Sequence, residues 1–68
     1  MIYNITAQAL DYEGLEMSYA VDNDEYTARV NNCVYRYEHL RNGEVITRIQ
    51  TLFKEQARSI MFNDMKGV

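Results

Sequence analysis

The chain holds one cysteine, one histidine and three glycines, and it has neither proline nor tryptophan. A lone Cys33 excludes an intrachain disulfide, and one Cys with one His falls short of the four ligands of a structural zinc. The glycines Gly14, Gly43 and Gly67 are isolated, so there is no glycine-rich phosphate loop. No apolar run approaches the ~20 residues that a membrane-spanning helix needs. The N-terminus lacks the basic region and apolar stretch of a signal peptide. The expected location is therefore cytoplasmic, either in the producing cell or in a host cell.

Sixty-eight residues suffice for one domain. A chain of this size buries only about 60% of the surface its unfolded form exposes, so its core is small. Small domains offset this with disulfides, metals or association. With the first two excluded, association is the expected route, and a homo-oligomer follows as an expectation.

Period-two alternation marks strands with one buried face. Residues 1–10 place Tyr3, Ile5, Ala7 and Ala9 on one side and Asn4, Thr6 and Gln8 on the other. Residues 15–22 place Leu15, Met17, Tyr19 and Val21 against Glu16, Ser18 and Asp22. With the turn residues Asp11-Tyr12-Glu13-Gly14 between them, the two segments read as a β-hairpin.

Residues 24–41 carry Tyr26, Val30, Cys33, Val34, Tyr37 and Leu40 at spacings of three and four, which predicts an amphipathic helix. Acidic residues open the segment, while His39, Arg41 and Asn42-Gly43 close it. Its propensity opposes a helix, and the competing reading is strands joined by an Asn42-Gly43 hairpin turn, with Thr47 and Gln50 capping a later helix.

Residues 44–62 place Val45, Ile46, Ile49, Leu52, Phe53, Ala57, Ile60 and Met61 on one helical face and read as a second helix. Residues 63–68 read as a flexible tail. The expected fold is α+β: an N-terminal antiparallel hairpin packed against a C-terminal antiparallel helix pair (ββαα) over residues 1–62. Its sheet is open to extension across a homodimer.

No residue set points to catalysis. Cys33 lies on the predicted apolar stripe, where a thiol is packing, and His39 has no evident partner. No pair of carboxylates is expected to converge in a pocket. The reading is a non-enzymatic protein without cofactor or metal.

Two surfaces remain as candidates for binding a partner. Residues 1–25 hold six acids and no base, a formal charge of −6, against +3 for the rest. Asp11, Glu13, Glu16, Asp22, Asp24 and Glu25 form an acidic surface that imitates nucleic-acid phosphates and fits the basic groove of a nucleic-acid-handling protein. The outward face of the predicted helix 24–41 carries Arg29, Asn32, Tyr35, Arg36 and His39, a set rich in the Tyr and Arg of binding hot spots.

In size, acidity and lack of catalytic motifs, the chain resembles small accessory proteins of phages and mobile elements. That resemblance implies an inhibitor of a host nucleic-acid-handling or defence protein. The alternatives are a small nucleic-acid-binding regulator, using Arg29, Tyr35 and Arg36, and a self-associating structural subunit. Direct nucleic-acid binding is disfavoured by the net charge of −3.

Overall fold

Residues 6–66 are described by a computed structural model. Four strands follow one another: β1 (Glu16–Val21), β2 (Asp24–Asn31), β3 (Val34–Arg41) and β4 (Glu44–Thr51). They form an antiparallel meander in the order β1-β2-β3-β4. A helix, α1 (Lys54–Met65), closes the chain. Residues 6–11 are helical and end in a 3-10 turn, Gln8–Asp11. This segment lies against β1 and β2, and α1 lies against β3 and β4. Both helical pieces thus cover the same face of the sheet, and no described element covers the other, open face.

The strands form because their side chains alternate. In β2, Tyr26, Ala28 and Val30 are buried while Glu25 and Arg29 are exposed. In β3, Tyr37 and His39 are buried, and Arg36 between Tyr35 and Tyr37 is exposed. Register carries the alternation across the sheet, with Tyr19 opposite Tyr26, Ala28 opposite Tyr37 and Tyr37 opposite Ile49 on the covered face. From below, α1 supplies Ala57, Met61 and Met65, one residue per turn, and the N-terminal segment supplies Ala7, Ala9 and Leu10. The alanines Ala9, Ala28 and Ala57 let the two helical pieces sit close to the strands.

The expected ββαα layout is thereby corrected. Residues 24–41, expected as a helix, are two strands joined by the turn Asn32-Cys33. That turn moves the buried set from even positions in β2 to odd positions in β3. Tyr26, Val30 and Tyr37 then fall at helix-like spacings by coincidence. Asn42-Gly43 is a hairpin turn and not a link between helices. The competing reading had this turn, but its helix cap at Thr47 is absent, because β4 runs on to Thr51. Residues 44–51, expected as the first half of a helix, form a strand because Val45, Ile46, Thr47, Ile49 and Thr51 are β-branched. The strand expected over residues 1–10 is helical from Thr6 onward, and residues 1–5 lie outside the described residues. Residues 63–65, expected in a tail, belong to α1, where Met65 is buried.

Three two-residue turns make the meander possible. Asn32 and Cys33 have φ of 55° and 65°, and Asn42 and Gly43 have φ of 52° and 81°, the left-handed pair of a type I′ hairpin. Asp22 has φ of 54° in the β1–β2 turn. The Asn42 N–H donates to the Asn23 carbonyl at 2.9 Å, tying two turns at one end of the sheet. At the other end Thr51 opens α1: its Oγ1 accepts the Phe53 N–H at 3.1 Å and donates to Gln56 Oε1.

Cys33 pays for the left-handed conformation that glycine adopts freely, while a Cβ added at Gly43 would meet no atom within 4 Å. Backbone strain alone therefore decides both substitutions. Cys33→Gly is expected to stabilise the fold by about 0.5–1 kcal/mol, and Gly43→Ala to destabilise it by about 1 kcal/mol. Urea unfolding monitored by circular dichroism checks both signs.

Candidate interaction surface

Two groups of polar side chains stand out, one on each face of the sheet. On the covered face, His39 is 2% exposed and is held on both ring nitrogens. Nε2 lies 2.8 Å from Asp24 Oδ1 on β2, and Nδ1 lies 3.1 Å from Asp64 Oδ2 on α1. The Tyr26 ring stacks on the imidazole with centroids 4.2 Å apart. Asp64 also accepts the Tyr37 hydroxyl on Oδ2 and the Thr47 hydroxyl on Oδ1, the latter at 2.7 Å. Arg41 Nε donates to Asp24 at 2.8 Å.

Ionisation follows from these contacts. The hydrogen bonds from His39 and Arg41 hold the Asp24 carboxyl below its ordinary value. Burial, reinforced by the bond to Asp64, pushes the Tyr37 phenol up, so it stays a donor. Burial also raises Tyr26.

A histidine between two carboxylates has the residue types of a catalytic triad. Here, however, both ring nitrogens are engaged and the ring is buried between sheet and helix, leaving no place beside it for a reacting atom. Its bonds join β2, β3 and α1. The group therefore ties three elements of the fold together. Among the described residues no three His, Cys, Asp or Glu side chains are grouped to hold a metal ion, and no helix is long and apolar enough to cross a membrane.

The open face is the second group. Three rows of side chains cross the strands in register: Glu16, Arg29, Arg36 and Gln50; then Ser18, Thr27, Glu38 and Arg48; then Ala20, Glu25, Leu40 and Val45. Seven residues of the first two rows, all but Ser18, line a shallow concavity of about 700 Å³, and Tyr37 and Ile49 also contribute to its wall. Arg36 Nε donates to Gln50 Oε1 at 3.1 Å, Arg48 Nε pairs with Glu38 Oε2 at 2.5 Å, and the Ser18 and Thr27 hydroxyls lie 3.1 Å apart. Arg29 stands between Glu16 and Arg36, and its side chain makes no hydrogen bond or close ion pair with another described residue. Like charges directly opposite each other across strands are destabilising and opposite charges stabilising, so Arg36 and Glu16 act on Arg29 in opposite senses.

The residues of the expected acidic surface do not come together. Asp11 pairs with Lys54, whose hydrogen bond and charge hold its carboxyl below the ordinary value, with a further contribution from Arg58. Glu13 accepts the Asn32 backbone N–H. Asp22 sits in the β1–β2 turn, Asp24 lies in the His39 network, and Glu16 and Glu25 are on the open face. The residues of the expected helix face divide as well. Arg29 and Arg36 are on the open face, Asn32 is in a turn, and Tyr35 and His39 belong to the covered side.

Sequence reasoning missed Glu38, Arg48 and Gln50 as neighbours of Arg36, and Tyr37, Thr47 and Asp64 as partners of His39. The alternation of Arg36, Glu38 and Leu40 was the available signal for the open face. Nothing local announced that Asp64 returns to the sheet. No known protein family, curated protein or solved structure matches this chain.

Two outcomes follow for the His39 network. His39→Ala removes the ring that bridges Asp24 and Asp64, and it is expected to destabilise the fold by about 3 kcal/mol in urea titration. Asp24 has a depressed folded-state value, so its contribution is fully present above the ordinary carboxyl value of 3.8 and is lost as pH falls through the folded value. Asp24→Asn is expected to flatten the acid limb of stability below that ordinary value, as read from melting temperature against pH.

Proposed function

We propose that the protein is a non-enzymatic protein-binding module and that it binds its partner with the open face of the sheet. The observation that carries this reading is the concavity containing Arg29, an exposed residue whose side chain makes no hydrogen bond or close ion pair with another described residue. Arg is enriched at binding hot spots because its planar fork of donors matches carboxylates and carbonyls of a partner.

The chemistry of the face favours a protein over a nucleic acid. Glu16, Glu25 and Glu38 balance Arg29, Arg36 and Arg48, so the face has no net positive field to hold a phosphate backbone. Tyr19, Tyr26 and Tyr35 belong to the covered side and the Tyr37 ring is buried, so none of the four presents a free ring on the open face for a base to stack on. Interspersed charges of both signs instead suit a protein surface of complementary pattern, where they set register and speed association.

Affinity capture with mass spectrometry tests the reading. The double variant Arg29→Ala, Arg36→Ala is expected to lose the captured protein, each arginine contributing about 2 kcal/mol, or about thirtyfold in affinity. Glu13→Lys and Asp22→Lys, which change turn acids away from the concavity, are expected to keep it. The opposite pattern would move the binding surface to the acidic turns, and capture abolished by nuclease would replace the protein partner with a nucleic acid.

A further inference from the structure

The edge strand β4 carries an apolar side chain at each end of its exposed run. A β-bulge between His39 and Leu40 sets Leu40 opposite Val45 and His39 opposite Thr47, leaving Ile46 as the extra residue. Val45 and Ile46 are both about half exposed as a result. At the far end, Leu52 and Phe53 are 67% and 70% exposed. The outer edge of β4 pairs with no other described strand. Its eight residues lack proline and lysine, the usual guards of an open edge.

We propose that β4 pairs antiparallel with β4 of a second copy of this chain, in the register that sets Ile49 against Ile49. This goes beyond the open-face reading and does not rest on it. In that register Arg48 faces Gln50, Thr47 faces Thr51, and Ile46 faces Leu52 of the second copy, with Val45 and Phe53 flanking the contact. The exposed apolar groups at the two ends of the strand cover each other twice over. Hydrogen bonding allows the same register. Glu44 opposite Arg41 starts the hairpin ladder, and beyond the bulge Thr47, Ile49 and Thr51 direct their backbone groups inward to β3. Arg48 and Gln50 direct theirs outward, where they bond to each other across the pair.

The neighbouring registers of the same hydrogen-bonding phase are poorer. Sliding one way sets Arg48 directly against Arg48, a like-charge pair. Sliding the other way sets Arg48 against Leu52 and Ile46 against Lys54. Charge and apolar matching therefore select one register out of three.

Light scattering and sedimentation across a concentration series test the pairing. The wild type is expected to rise from the 8.0 kDa chain mass to twice that value. Ile46→Lys and Leu52→Glu are each expected to weaken self-association at least tenfold with an unchanged circular dichroism spectrum. Mixing the two variants is expected to restore the dimer, because the lysine introduced in one copy then faces the glutamate introduced in the other. Amide exchange at Arg48 and Gln50 is expected to slow on association. A wild type that stays monomeric at millimolar concentration overturns the proposal, as does a Leu52→Glu variant that associates like the wild type. Leu52 is exposed in the single chain, so its replacement leaves the fold intact. The open-face reading is tested by capture with the Arg29 and Arg36 variants, so the two can fail separately.

Discussion

The carboxylate of Asp64 is the point through which the sheet holds its helix. It sits in the last turn of α1 and holds three groups of the covered face: it accepts the Tyr37 and Thr47 hydroxyls and bonds to Nδ1 of the His39 ring. Without it, the buried contact of α1 with the sheet would rest on Ala57, Met61 and Met65, one small and two flexible side chains. A core of alanine, methionine and tyrosine gives little shape by which to fix a helix. The directional bonds to Asp64 supply that fixing, and Asp24 completes it by engaging the other ring nitrogen of His39 from the neighbouring strand. The network also gives the buried histidine and the buried Tyr37 hydroxyl their polar partners. The Arg41 guanidinium closes the network at the surface, on the oxygen of Asp24 that His39 also uses.

What the sequence made legible was set by how far each signal reached. β1 was legible because Met17, Tyr19 and Val21 alternate with Glu16, Ser18 and Ala20 and no turn interrupts them. Asn42-Gly43 was legible as a turn in the competing reading, since few dipeptides so readily adopt two left-handed residues. β2 and β3 were lost because a two-residue turn shifts the phase of alternation in the middle of the segment. The turn is inconspicuous because Cys33, not glycine, holds its second left-handed position. Ala28, buried at the centre of β2, is too small to register as a core residue, and His39 counts as polar although it is buried. Each strand thus lost a core marker, and the remaining large residues imitated a helix.

The candidate site was legible in composition and not in arrangement. Arg29 and Arg36 were singled out from the start, but with Tyr35 and His39, which an extended chain turns to the opposite face. The acidic residues were legible as a cluster in sequence. In space they were dispersed by individual tasks: Asp11 joins the N-terminal segment to α1 through Lys54, Glu13 holds the β2–β3 turn, and Asp24 anchors His39. A carboxylate committed to such a bond is less available to a partner, whereas Arg29 has no such bond to another described residue. The difference lies in tertiary contact, which no local pattern records.

Covering one face of the sheet with both helical pieces has a consequence for the edges as well. Two of the three rows on the open face are polar, with Glu, Arg, Ser, Thr and Gln in register, while the third carries Ala20, Leu40 and Val45 beside Glu25. The two edge strands then differ. β1 is six residues long, begins at Glu16 and ends beside Asp22, so charge blunts it at both ends. β4 is longer, begins with a bulge that turns Val45 and Ile46 outward, and runs into Leu52 and Phe53. An antiparallel pairing of two β4 strands relates the copies by a two-fold axis perpendicular to the sheet, so both open faces fall on the same side. The row containing Gln50 then continues into the row containing Arg48 of the second copy. Edge pairing and an open polar face are thus compatible uses of one sheet: the first covers the apolar groups that the fold leaves exposed, and the second widens the surface that remains.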